Sequence, residues 1–139
     1  MKSLIPLFLT CLVTLSTSAI YGQNSKFTHQ DTLRGTITKE RIWWDLSYYH
    51  LNVKVNPSDS SLKGQNTIRY KVLSPYQRMQ IDLQEPMKIS KVSQDGTSLA
   101  FRRDGNAYFI DLPKKQIQGK YNEISIDFEG KPQVSKRPP

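Results

Sequence analysis

The sequence predicts an all-β domain, an antiparallel sandwich or layered sheet of about seven short strands. Three observations carry that expectation. Apolar and polar residues alternate from Tyr49 onward. The alternating runs are cut at regular intervals by clusters of Asn, Asp, Gly and Pro. No stretch beyond Glu40 keeps the apolar spacing of a helix.

The first strand is read in Tyr49-His50-Leu51-Asn52-Val53-Lys54-Val55, apolar at odd positions and polar at even ones. In an extended chain this puts the two rows on opposite faces. Asn56-Pro57-Ser58-Asp59-Ser60 is a turn cluster, because Pro fixes φ and Asn, Asp and Ser bond back to the backbone. The next run places Leu62, Ile68, Tyr70 and Val72 on one face, with Lys63, Gln65, Thr67, Arg69 and Lys71 on the other. The two runs make a hairpin. Ser74-Pro75-Tyr76-Gln77 interrupts, and Met79, Ile81 and Leu83 form a third strand closed by Glu85-Pro86. Ile89 and Val92 fall out of step by one residue, which predicts a β-bulge. Asp95-Gly96 and Asp104-Gly105 are tight-turn signals. The first leads to Leu99 and Phe101, the second to Tyr108, Ile110 and Leu112. After a basic loop from Pro113 to Lys120, Ile124, Ile126 and Phe128 make the last strand.

The flanks read differently. Lys2 precedes an apolar run from Leu4 to Leu15, and Ser16 to Gly22 supplies small residues with cuts after Ala19 or Gly22. That is the layout of a signal-peptide helix over residues 1–22. The run is shorter than the ~20 residues of a membrane span, and Pro6 interrupts it. A buried N-terminal helix is the alternative. Phe8-Leu9-Thr10-Cys11 has a faint likeness to a lipoprotein processing site, but the apolar run continues past Cys11. The expected location is therefore exported, periplasmic or extracellular, with no membrane attachment after signal removal. Residues 23–39 are polar and read as a flexible lead-in, with the β domain over 40–131. Residues 132–139 end in a double proline and read as a connector, cut short before a further domain.

Cys11 is the single cysteine, so the processed chain is expected to hold neither a cysteine nucleophile nor a cysteine zinc site. The net charge of +8 is dispersed: Lys54, Lys63, Arg69, Lys71, Arg78, Lys88 and Lys91 alternate with apolar residues as a solvated strand face would. No nucleic-acid motif accompanies them, and no nucleic-acid partner is expected. His29 falls in the lead-in and His50 on a polar strand face, neither spaced with a second histidine as zinc proteases require. Asp45, Asp59, Asp82, Glu85, Asp95, Asp104, Asp111, Glu123, Asp127 and Glu129 sit in turns or on polar faces, and the spacing singles out no acid–base pair. No nucleophile-elbow serine and no Gly-rich phosphate loop is present. No catalytic, cofactor-binding or metal-ligating residue is assigned. The aromatic cluster Trp43, Trp44, Tyr48 and Tyr49 reads as core or interface packing, with a stacking platform for a glycan or protein as the alternative.

Four blocks taken together resemble a known family: Trp44 to Pro57 (WDLSYYHLNVKVNP), Leu62 to Tyr70 (LKGQNTIRY), Met79 to Leu83 (MQIDL) and Asn122 to Gly130 (NEISIDFEG). Their order is similar to the N-terminal domain of the M1 zinc metallo-aminopeptidases, which opens with a Y-x-L-x-(V/L) strand, then G-x-x-x-I-x-(Y/F), then I-x-I-x-(F/Y)-x-G. The ending Lys136-Arg137-Pro138-Pro139 resembles Bacteroidetes versions of the family. The resemblance implies a saddle-shaped β domain leaning on a thermolysin-like domain. In the family that second domain carries zinc on an H-E-x-x-H helix and a downstream Glu, and holds the substrate amine with a G-x-M-E-N stretch. None of these motifs is matched here, and the polar residue that the family's N-terminal domain lends to the substrate pocket would fall beyond Pro139. The resemblance therefore implies a non-catalytic domain, no cofactor in this chain, zinc in a missing catalytic domain, and that domain as the partner through which peptide is met. The alternative is a free-standing envelope β-sandwich that binds a glycan or protein through the aromatic cluster.

Overall fold

The computed structural model describes residues 26–134. The expected signal peptide at 1–22, Cys11 and the end of the expected connector, residues 135–139, lie outside the described residues. Eight strands follow two short helices: α1 (His29–Gly35), α2 (Lys39–Ile42), β1 (Trp44–Asn56), β2 (Ser61–Val72), β3 (Arg78–Asp82), β4 (Lys88–Gln94), β5 (Thr97–Ser98), β6 (Phe101–Asp104), β7 (Ala107–Asp111) and β8 (Tyr121–Gly130). They form two antiparallel sheets. The large one has the order β1-β2-β8-β4-β5 and the small one β3-β7-β6. The all-β layered fold expected from the alternation is the one observed.

Both predicted tight turns are present, the first as read and the second shifted by one residue. Asp95 and Gly96 both have positive φ, and the flanking Gln94 and Thr97 pair, so they form a two-residue hairpin loop. At the second turn the loop residues are Gly105 and Asn106, closed by the pair Asp104–Ala107. The register of β4 on β8 slips between Ile89 and Lys91, the bulge that the one-residue phase change predicted.

The run expected as one strand through Leu99 and Phe101 is divided, giving eight strands where about seven were expected. Leu99 still donates its N–H to Val92 O (2.9 Å) on the large sheet, whereas Ala100 O already accepts from Asp111 N (3.0 Å) on the small one. The chain crosses between the layers at that peptide.

The core lies between the sheets. Ile68, Tyr70 and Val72 of β2, Val92 of β4, and Ile124 and Ile126 of β8 face Met79, Tyr108 and Ile110 from the small sheet, all essentially solvent-free. Tyr70 is buried with its hydroxyl satisfied: it donates to Gln116 Oε1 (2.9 Å) and accepts from Gln94 Nε2 (3.2 Å). Asn122 also donates to Gln116 Oε1 (2.8 Å), and Gln116 Nε2 donates to Lys114 O (2.8 Å). This network pins the Pro113–Lys120 loop against the end of the core.

The segment read as a lead-in differs from the expectation. Thr28 and Asp31 form a reciprocal capping box, with Thr28 N donating to Asp31 Oδ2 (3.0 Å) and Asp31 N to Thr28 Oγ1 (3.2 Å). The helix it starts lies over the outer face of the small sheet. Gln80 donates to Leu33 O (3.1 Å) and accepts from Thr38 Oγ1 (3.0 Å), and Gln30 Nε2 donates to Asp104 Oδ1 (3.2 Å). The cover explains why β7 is buried on both faces, Phe109 as well as Tyr108 and Ile110. Arg102 lies over the Phe109 ring at 4.4 Å.

Candidate functional site: an open apolar face on the large sheet

β1 carries a register shift between Leu46 and Tyr48. Trp44 and Leu46 lie opposite Val72 and Tyr70; after the shift, Tyr49, Leu51, Val53 and Val55 lie opposite Ile68, Asn66, Gly64 and Leu62. Residues directly opposite in an antiparallel pair share a face. The bulge therefore keeps one apolar row on the core-side face of the sheet although the apolar positions change from even to odd. Across β2 the row continues into Ile126, opposite Asn66, and Phe128, opposite Gly64.

Only one end of this face is covered. Where the small sheet lies over it, Ile68 and Tyr70 are sealed. Toward the β1–β2 turn nothing among the described residues lies over it, and Leu51, Val53 and Val55 are 60%, 40% and 63% exposed. The alternation read from the sequence is real, but the small sheet is too short to reach this end of the row. Gly64 shapes the open half. A Cβ there would stand 2.7 Å from Phe128 Cζ and 2.5 Å from Asn52 O, so glycine lets the Phe128 ring lie across the strand. Where the covered and open halves meet, Tyr49, Ile68, Ile81, Leu83 and Phe128 line a groove of about 230 Å³. Asn66 borders it, and its Oδ1 is buried without a hydrogen-bond partner among the described residues. Partial burial raises the Tyr49 phenol above its ordinary pKa.

The aromatic cluster does not act as a unit. Trp43 is buried, its indole N–H bonded to Arg78 O (2.8 Å) and its ring edge-on to Tyr70 at 5.8 Å. Trp44 donates to Glu40 O (3.1 Å) and packs edge-on against Tyr70 at 6.1 Å. Both indoles belong to the core or its margin, the packing role read from the sequence. Tyr48 and Tyr49 are about half exposed and stand on opposite faces of β1. Four aromatic rings in one stacking platform are therefore not available.

The acidic residues are engaged locally. Asp82 pairs with Arg41, Asp95 with Lys114, Asp111 with Arg78 (2.7 Å), and Glu129 with Lys88 (3.2 Å) and Lys63 (3.7 Å). Glu123 pairs with Arg69 (3.9 Å) and Glu85 with Arg103 (3.4 Å). Asp59 accepts from Ser61 in the β1–β2 turn, and Asp127 from Gln65 (2.7 Å). His29 Nε2 lies 3.0 Å from Asp104 Oδ2, and this bond, first among the causes, holds the Asp104 carboxyl below its usual range. The Lys88 ammonium does the same for Glu129. His50 and Asp45 are exposed on β1. Among the described residues no group of three or more His, Cys, Asp or Glu side chains is gathered. No helix among them is long and apolar enough to cross a membrane.

The sequence matches no protein-family model and no curated protein. The fold does match solved structures. Against the M1 zinc metallopeptidase from Deinococcus radiodurans the TM-score is 0.60 at 20% identity, over 69% of this chain and 22% of that one. A mutant of that metallopeptidase bound to a Tyr-Ser-Ala substrate gives 0.60 at 19% identity, over 70% and 22%. A two-domain M1 zinc metallopeptidase mutant bound to L-tryptophan gives 0.60 at 20% identity, over 71% and 23%. This chain thus has the fold of one segment of these metallopeptidases and spans about 22% of the length of the first of them.

Proposed function

We propose that the chain is the non-catalytic N-terminal β domain of an exported M1-type zinc aminopeptidase, a scaffold for the thermolysin-like domain that removes N-terminal residues from peptides. The observation that carries this reading is the open half of the large sheet in a chain whose fold matches only 22% of a metallopeptidase. Leu51, Val53 and Val55 form a contiguous apolar row at the surface, and such a surface in a folded domain marks a place for a partner. The unpartnered Asn66 Oδ1 beside it supports the same reading, because a buried acceptor ordinarily has a donor. In this account the remainder of a longer polypeptide, its zinc domain included, packs on that face. The chemistry, the metal and the contact with peptide belong to that remainder. Export rests on the leader read in residues 1–22.

The test is the coding DNA beyond the codon for Pro139. An in-frame H-E-x-x-H within a few hundred codons is expected, and its absence overturns the reading. Co-expressing that downstream segment with this chain should protect Leu51, Val53 and Val55 from solvent and restore aminopeptidase turnover that the chain alone lacks. Metal-dependent cleavage of aminoacyl amides by the chain alone would refute the division of labour.

A further inference from the structure

The free edges of the two sheets are treated unequally. In the large sheet the β5 edge is two residues long. In the small sheet β6 is four residues long and carries Arg102 and Arg103, while β3 lies beside α2, with Arg41 paired to Asp82 and Thr38 bonded to Gln80. Short edges, charges and a covering helix are the usual devices against edge-to-edge pairing. β1 is neither short nor covered by a helix among the described residues, and its charges are sparse. It is thirteen residues long, contains no proline, and among the described residues pairs only with β2, on one side. From Tyr48 to Asn56 its register is uninterrupted, and Lys54 is the one formally charged side chain in that stretch.

We propose that β1 pairs antiparallel with β1 of a second copy of this chain, centred on Leu51, joining two five-stranded sheets into one. The stretch is self-complementary in that register. Leu51 meets itself at the two-fold axis, Tyr49 meets Val53, and His50 meets Asn52. Tyr48 meets Lys54. Tyr49, Leu51 and Val53 thus stay on one face and contact only apolar partners, with an aromatic residue opposite a β-branched one, while Val55 falls opposite Ser47 at the margin of the pair. Each ammonium lies beside a phenol ring rather than beside its own symmetry mate. A parallel in-register pair, or an antiparallel one centred on Lys54, would set Lys54 against Lys54. Arg69, beside Tyr48 on β2, is already engaged by Glu123 (3.9 Å) and by the Tyr121 ring at 5.3 Å. The pairing closes on itself by two-fold symmetry, so it yields a dimer and stops.

This association uses the backbone edge of β1, whereas the proposed docking of a catalytic domain uses the face of the sheet. The two fail separately. Sedimentation of the purified chain over a range of concentrations is the test, with two substitutions at nearly equal exposure, Leu51 at 60% and Val55 at 63%. Leu51→Lys sets two ammonium groups directly opposite each other and is expected to weaken the dimer about tenfold or more. Val55→Lys meets Ser47 of the second copy and is expected to leave it nearly unchanged. Amide exchange along 48–54 should slow as concentration rises in the wild-type chain and not in Leu51→Lys. A monomer at every concentration overturns the proposal. So does equal weakening by both substitutions, which would mean that copies associate through their apolar faces, and so do oligomers larger than a dimer.

Discussion

Replacing Leu51 by serine separates an open sheet face from a covered one. A fully buried leucine contributes about 1.5–3 kcal/mol through removal from water. Leu51 is 60% exposed, so well under half of that is available to lose. Leu51→Ser is expected to cost about 1 kcal/mol or less. Ile68, on the same face and 1% exposed, lies under the small sheet. Ile68→Ala is expected to cost about 2–5 kcal/mol, transfer and cavity contributions together. Urea denaturation at low protein concentration reads the difference. With a slope of about 1–3 kcal/mol per molar urea for a small domain, the midpoint should fall by less than ~1 M for Leu51→Ser and by roughly twice that or more for Ile68→Ala. A hydrophobic dye gives the second readout: fluorescence should fall with Leu51→Ser, because part of the exposed row is gone, and hold or rise with Ile68→Ala. Equal destabilisation by the two substitutions, or dye binding indifferent to Leu51→Ser, would refute the open face.

Gly64→Val should destabilise the hairpin by about 1–3 kcal/mol, since its Cβ would press on Phe128 Cζ and Asn52 O; thermal melting checks it. Tyr70→Phe removes the hydroxyl between Gln94 and Gln116 and should cost about 1–3 kcal/mol, with faster amide exchange across the Pro113–Lys120 loop as its local signature. The α1 tether should depend on acid. The Asp104 carboxyl is lowered in the folded chain by its bond to His29, so its contribution is fully present above the unfolded carboxylate pKa of about 4 and is lost as pH falls through the lower folded value. Acid-active protease should therefore cut the α1–α2 segment more readily near pH 3 than near pH 5, and Asp104→Asn should reduce that difference, leaving the share of Asp31, whose carboxyl the Thr28 cap also lowers.

The hairpins, the tight turns and the β4 bulge were legible because each has a local cause. Asp95-Gly96 needs positive φ wherever it sits, and a one-residue slip in the Ile89–Val92 phase marks a bulge whatever its partner strand. The helix α1 was legible in principle: Thr28 and Asp31 have the spacing of a capping box, a signal that the polar composition of residues 23–39 obscured. Other features had no local signal. Nothing in Phe101 itself says that the chain changes sheets two residues before it, because strands on either side, with Val92 and Asp111, compete for the same run and only the packing of the layers decides between them. The split of the Trp43–Tyr49 cluster is of the same kind. Two indoles and two phenols look alike in a row, and only the position of Tyr70 and Arg78 decides which are enclosed.

The candidate surface shows the same division. By itself the sequence determined an all-β chain, the strand order along it, and the single apolar row running through Tyr49, Leu51, Val53 and Val55, because alternation in an extended backbone fixes which side chains share a face. Whether that face is covered is a different quantity. It depends on how far the three strands of the small sheet extend over the five of the large one, which is set by contacts between residues dozens of positions apart. Only the tertiary structure decided that the cover stops near Ile68 and leaves the far end of the row, with the edge of β1, open to a partner.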